Sequence, residues 1–143
     1  MIGLKSDREI DLMSRAGGII GKVFEKLEGE IKPGVSTADI DSAAALLINS
    51  LGGRSAFLGY REFPANICVS INEVVVHGIP GKRRLDEGDI VSVDVGVEVG
   101  GYCADGAATF AVGHISNEAR RLIDATEASL YLGIEQARPQ NRL

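Results

Sequence analysis

Residues 67–109 read ICVSINEVVVHGIPGKRRLDEGDIVSVDVGVEVGGYCADGAAT, and the reading of this stretch decides the fold. Ile90 to Val99 is rich in valine and free of proline, which favours a strand. Gly100-Gly101 is a turn signal, and Tyr102 to Val112 can return as the partner strand of a hairpin. A turn centred between Val99 and Gly100 sets Asp94 directly opposite Asp105. A turn centred on Gly100-Gly101 sets Asp94 opposite Ala107, with Asp105 its diagonal neighbour. Both registers put the two carboxylates on one face, because side chains alternate with period two along a strand.

Two like charges held close on a half-buried face are unfavourable. Either one carboxyl stays protonated or a cation sits between them. A divalent metal removes the conflict, and carboxylate oxygens suit magnesium, manganese, iron, cobalt or zinc. The competing reading puts the aspartates at strand ends, bonded to turn amides; the D-x10-D spacing alone does not choose between them. His77 has two readings as well. Beside Gly78 and before Pro80 it can be a loop residue bonded to a backbone carbonyl. Alternatively, Val74-Val75-Val76 is a buried strand and His77 emerges at its end, where reactive groups are favoured.

The run SINEVVVHGIP, followed by DEGDIVSVDVGV and GGYxAD, resembles the type I methionine aminopeptidases. The resemblance spans almost the whole chain, with the histidine motif and both aspartate motifs in the family's order and spacing. It implies an α+β pita-bread fold and a site for two divalent ions (cobalt, manganese, iron or zinc) that removes the initiator methionine. The substrate it implies is the N-terminus of a peptide or nascent chain. In that family the residues matching Asp94 and Asp105 are metal ligands, and the one matching His77 contacts substrate near the scissile bond. Residues matching Phe57, Tyr60, Phe63 and Cys68 help form the pocket for the methionine side chain, where a sulfur and ring edges suit a polarizable thioether. Phe57 and Arg61 depart from the family's common cysteine and histidine at those positions. Seen without the family, the rings can equally close the core beneath a loop.

Outward from this stretch, the chain of 143 residues reads as one domain. Its 45% hydrophobic and 24% charged content is ordinary for a soluble protein. A net charge of −5 gives no basis for nucleic-acid binding, and Lys82-Arg83-Arg84 reads as a solvated turn. Cys68 and Cys103 read as reduced, buried thiols. No run suits a signal peptide or a membrane span, so a cytoplasmic location is expected. Ser6-Asp7-Arg8-Glu9 is a capping box opening a helix whose face holds Ile10, Met13, Gly17, Ile20, Phe24 and Leu27. Ser36 to Asp39 opens a second helix, with Ile40, Ala43, Ala44, Leu47 and Leu51 inward and Gly52-Gly53 at its end. His114 reads as a surface residue. Asn117 is expected to cap a third helix running to about Ala137, with Leu122, Ala125, Ser129, Leu132 and Ile134 on its apolar side.

The third helix weakly echoes the first, EARRLIDATEAS from Glu118 against EIDLMSRAGG from Glu9. Together with the resemblance, this implies the first half of the pita-bread fold plus the first helix of the second, in an apparently truncated domain over residues 1–143. A histidine and two glutamates that complete the family's metal site have no counterpart in the sequence. The expected function is therefore methionine removal, with the isolated chain weakly active or inactive. The alternatives are a peptide-binding or scaffold module without turnover, and a proline-specific or creatinase-like relative. Self-association through the half-fold is a further expectation, since two copies would pool four aspartates.

Overall fold

A computed structural model describes residues 3–142. The hairpin forms as β3 (Ile90–Val99) and β4 (Tyr102–Ala111). Gly100 and Gly101 join them with φ of +59° and +86°. Two successive positive φ values make the turn whose twist matches the flanking strands, and glycine adopts them without steric cost. The register is the second of the two expected: Asp94 pairs with Ala107, and Gly96 pairs with Asp105.

Along the other side of β3 lie β1 (Arg54–Ser55) and β2 (Cys68–Ile71), end to end and antiparallel to it. β3 is thus the central strand, and β4 is an edge among the described residues. Alternation does the rest. Val91, Val93, Val95, Val97 and Val99 all point to one face and are buried. That face is covered by α1 (Asp7–Glu28), across β3 and β4, and by α2 (Thr37–Ser50), beside it over β1 and β2. Each valine removed from water there contributes about 1.5–3 kcal/mol. The opposite face carries Asp94 and Asp105.

Both capping boxes form. The Glu9 carboxylate accepts from the Ser6 N–H (2.6 Å) and hydroxyl (2.7 Å). Ser36 Oγ accepts the Asp39 N–H at 3.1 Å, and the Asp39 carboxylate accepts the Ser36 hydroxyl at 2.6 Å. Gly29 ends the first helix.

Four expectations need correction. The buried face of α1 runs through Ala16, Ile19, Ile20, Val23 and Leu27, while Ile10 and Met13 are exposed. Gly17, Ile20, Phe24 and Leu27 of the expected face do meet the sheet, Phe24 against Phe110 of β4, but the face is wider than expected and does not extend to the first turns. Val74-Val75-Val76 is no strand: β2 ends at Ile71, Asn72 turns the chain away with φ of +52°, and all three valines are exposed. Cys103 is exposed, because its place on β4 faces away from the helices. Finally, α3 (Asn117–Gln136) is capped by Ser116, whose Oγ accepts the Ala119 N–H at 3.1 Å. None of its residues is buried; Leu122, Leu132 and Ile134 are 57–63% exposed.

Candidate metal centre

Asp94 and Asp105 sit in the middle of their strands, as diagonal neighbours on the face away from the helices. Among the described residues neither bonds a turn amide, so the strand-end reading does not hold. Asp94 is half-buried, and its Oδ1 is buried without any hydrogen-bond partner. Burial pushes the Asp94 carboxyl above its ordinary range, the charge of Asp105 adds to the rise, and His77 opposes it. An orphaned carboxylate oxygen beside a second carboxylate is an arrangement that a cation would stabilise. Oxygen donors of this kind fit a divalent metal. Among the described residues, however, no group of three or more His, Cys, Asp or Glu side chains converges to hold one. The pair by itself could supply only part of a coordination shell.

His77 reaches this face from an exposed loop, itself in the left-handed region at φ of +60°. The loop is fastened at both ends. At its start, Asn72 donates from Nδ2 to Asp89 (2.8 Å) and accepts the Ile90 N–H on Oδ1 (3.0 Å). At its end, Gly78 accepts the Val69 N–H at 2.9 Å and donates to Ser70 Oγ at 3.1 Å. A Cβ on Gly78 would lie 2.1 Å from the Val69 carbonyl oxygen, so only glycine fits.

Beside Asp105 lies a cavity of about 500 Å³, lined in part by Phe57, Leu58, Tyr60, Gly96 and Cys103. Of the residues singled out for the pocket, Phe57 and Tyr60 line this cavity. Phe63 supports it from behind, edge-on to Phe57 at a centroid distance of 6.5 Å. Cys68 lies elsewhere, buried on β2 opposite Asp94, and His77 does not line the cavity either. Burial, with the two aspartates adding, pushes the Cys68 thiol up to about 11. It is therefore protonated at neutral pH and contributes an apolar sulfur rather than a thiolate ligand. The Phe57 ring packs against Gly96, where an added Cβ would come within 2.4 Å of it.

Several supports of this site were missed from the sequence. Ser55 Oγ accepts the Phe57 and Leu58 N–H groups (3.1 Å each) and donates to the Asn66 carbonyl (2.7 Å). Asp41 of α2 accepts the N–H groups of Asn66 (2.8 Å) and Ile67 (3.0 Å). Arg54 and Glu98 pair across β1 and β3 at the cavity rim. The Asp41 and Arg54 partners lie 25 to 44 residues away in the chain, so the sequence alone does not reveal them. In the turn between, Arg61 and Glu62 both hold positive φ, +48° and +67°, and the Arg61 guanidinium stacks 5.5 Å above the Tyr60 ring.

Comparison with known proteins extends this picture. Residues 11–143 match the model of metallopeptidase family M24. The methionine aminopeptidase of Clostridium acetobutylicum is 51% identical over 144 aligned residues, covering 100% of this chain and 58% of that enzyme. Among solved structures, the methionine aminopeptidase of Thermotoga maritima superposes with a TM-score of 0.95 at 35% identity, over 97% of this chain and 56% of that one. A Xaa-Pro dipeptidase from Bacillus anthracis superposes at 0.72 and 28% identity, over 82% of this chain and 32% of that one. The fold is the pita-bread arrangement that these proteins share. The chain spans 57–58% of the length of the curated relatives it matches first. No described helix is long and apolar enough to cross a membrane. The match begins within the first helix and takes in all four strands of the sheet, and the chain belongs to metallopeptidase family M24.

Proposed function

We propose that the protein acts in metal-dependent removal of the N-terminal methionine from peptides and nascent chains, in the cytoplasm. The observation that carries this reading is the aspartate pair with its orphaned Asp94 oxygen, set beside a cavity lined by aromatic rings. Asp94 and Asp105 would hold the metal, two divalent ions of cobalt, manganese, iron or zinc in the complete site. When bound, such ions polarise the peptide carbonyl and activate water at neutral pH. His77 contributes a polar contact near the scissile bond, while Phe57, Tyr60 and Phe63 receive the methionine side chain and Cys68 adds its sulfur from beside Asp94, outside the ring-lined cavity. The methionine thioether suits ring edges and a protonated sulfur. With only two carboxylates converging among the described residues, metal is held weakly and turnover by this chain is low.

The test is release of free methionine from a Met-Ala-Ser peptide in the presence of Mn²⁺ or Co²⁺, beside Pro- and Ala-starting peptides. The proposal expects slow, metal-dependent release from the Met peptide alone, abolished by Asp105→Ala. Cleavage confined to a proline-containing peptide would instead support the proline-specific relatives.

A second reading, a peptide-binding scaffold that associates with copies of itself, draws on α3, which buries no residue and leaves Leu122, Leu130, Leu132 and Ile134 more than half exposed. A helix without tertiary contacts is marginal in water. Peptide binding without methionine release, with a mass in light scattering that rises with concentration, would favour it. A monomer across concentrations removes the self-association.

A further inference from the structure

The loop that delivers His77 has almost no structure of its own. Between Asn72 and Gly78, Val75 is 84% exposed and Val76 is 60% exposed. Its one internal backbone bond is Val74 N–H to the Ile71 carbonyl, at 3.1 Å. What determines the position of His77 is therefore how the two ends are fastened, and the nearer fastening is at Gly78. There the carbonyl is bonded to the Val69 N–H, and the N–H is bonded to Ser70 Oγ. Ser70 is 4% exposed, on the same face of the sheet as Asp94, so its hydroxyl is held in place by the packed strand around it. The Gly78 N–H follows directly on the His77 carbonyl, so a bond to it fixes the peptide plane that joins the two residues. His77 itself is at φ of +60°, a conformation that a residue with a Cβ keeps only when its surroundings impose it.

We infer that Ser70 is a positioning residue for His77: by accepting the Gly78 N–H, its buried hydroxyl fixes the direction in which the imidazole leaves the loop toward the aspartate pair. The inference rests on the reading of His77 as the group beside the scissile bond, and it adds a residue that does not itself touch substrate. Without the hydroxyl, Gly78 keeps its bond to Val69 but its N–H loses a partner at a part-buried position, and the 77–78 peptide is free to rotate.

The chain has two histidines, His77 and His114, so imidazole-labelled protein gives two ring signals, assigned with His114→Gln. Mn²⁺ added to the labelled chain relaxes the signal of a ring near the aspartates, with the sixth power of distance. In Ser70→Ala the His77 signal is expected to shift and broaden while that of His114 stays. A displacement of about 1 Å, the scale on which positioning matters, lowers the Mn²⁺ effect on His77 by about twofold. Ser70→Thr, which keeps the hydroxyl, restores both. In the unmodified chain the Gly78 amide exchanges slowly with solvent. An unmoved His77 signal with an unchanged Mn²⁺ effect in a folded Ser70→Ala chain would overturn the inference, and so would rapid Gly78 exchange in the unmodified chain. If Mn²⁺ relaxes neither ring, the metal reading fails by itself, while the His77 shift and the Gly78 exchange still decide the role of Ser70.

Discussion

Asp94 shows at the scale of one residue why function and stability pull apart in this chain. Its Oδ1 is buried without a partner, and its carboxyl is raised by burial and by Asp105. A group whose folded value lies above its unfolded value stabilises the fold in acid, and that contribution is lost as the pH rises through the folded value. At neutral pH without metal, the ionised carboxylate is therefore a cost. Asp94→Asn in metal-free protein should raise stability in urea unfolding by about 0.5–1 kcal/mol, screening at its exposed side having reduced the gain, and should weaken Mn²⁺ binding. Glu62 carries a cost of another kind, in the backbone. It follows Arg61 in the left-handed region, where side chains are strained. Glu62→Gly should raise the thermal midpoint, at a gain of about 1 kcal/mol, and an unchanged midpoint would mean the turn is not strained. The aspartates were legible in the sequence because charge amid a valine run is conspicuous. The turn at 61–62 was not, since nothing in Arg-Glu announces a positive φ.

Elements were legible where two local signals agreed. The β3–β4 hairpin has alternation and a Gly-Gly turn, and it formed in one of the two registers that this pattern allows. Both early helices have capping boxes, and both began where those boxes lie. The first of them carries a consequence for pH. Glu9 accepts the Tyr102 hydroxyl (2.5 Å) as well as the Ser6 groups, tying the N-terminus of α1 to the start of β4. The Tyr102 bond first, then the Ser6 bonds, lower its carboxyl from 4.5 to about 2. A depressed value stabilises the fold above the unfolded value and loses that contribution as the pH falls through the folded one, so this tie weakens between about 4.5 and about 2. Urea midpoints measured down that range should fall less steeply in Glu9→Gln than in the unmodified chain; parallel curves would rule the tie out. Local signals misled where tertiary partners decided. Val74-Val75-Val76 has the composition of a strand, yet Asn72 bonds Asp89 and Ile90 and directs the chain off the sheet. In α1, periodicity alone could not fix the width of the buried face or where it stops.

At the scale of the molecule, one face of the sheet is finished and the other is open. The valines of β3 are sealed beneath α1 and α2, while the aspartate face is covered only in part, by Phe57 and the loop that ends at Gly78, and β4 and α3 present an unpaired edge and exposed apolar side chains among the described residues. The helical pattern of α3 was legible, and what it packs against was not, because amphipathicity specifies a buried face without naming its partner. The same holds for the site: two carboxylates on one face follow from alternation, whereas the cavity needed Arg54, Phe57 and Gly96 to be brought together from separate segments. The central claim is that Asp94 and Asp105 form a metal-binding pair in this chain as it stands. Calorimetric titration of Mn²⁺ or Co²⁺ into the purified chain, beside an Asp94→Ala, Asp105→Ala variant, tests it most directly. The account predicts weak binding to the unmodified chain and none to the variant. A chain that is folded by circular dichroism yet binds no metal, or a variant that binds as well as its parent, would contradict it.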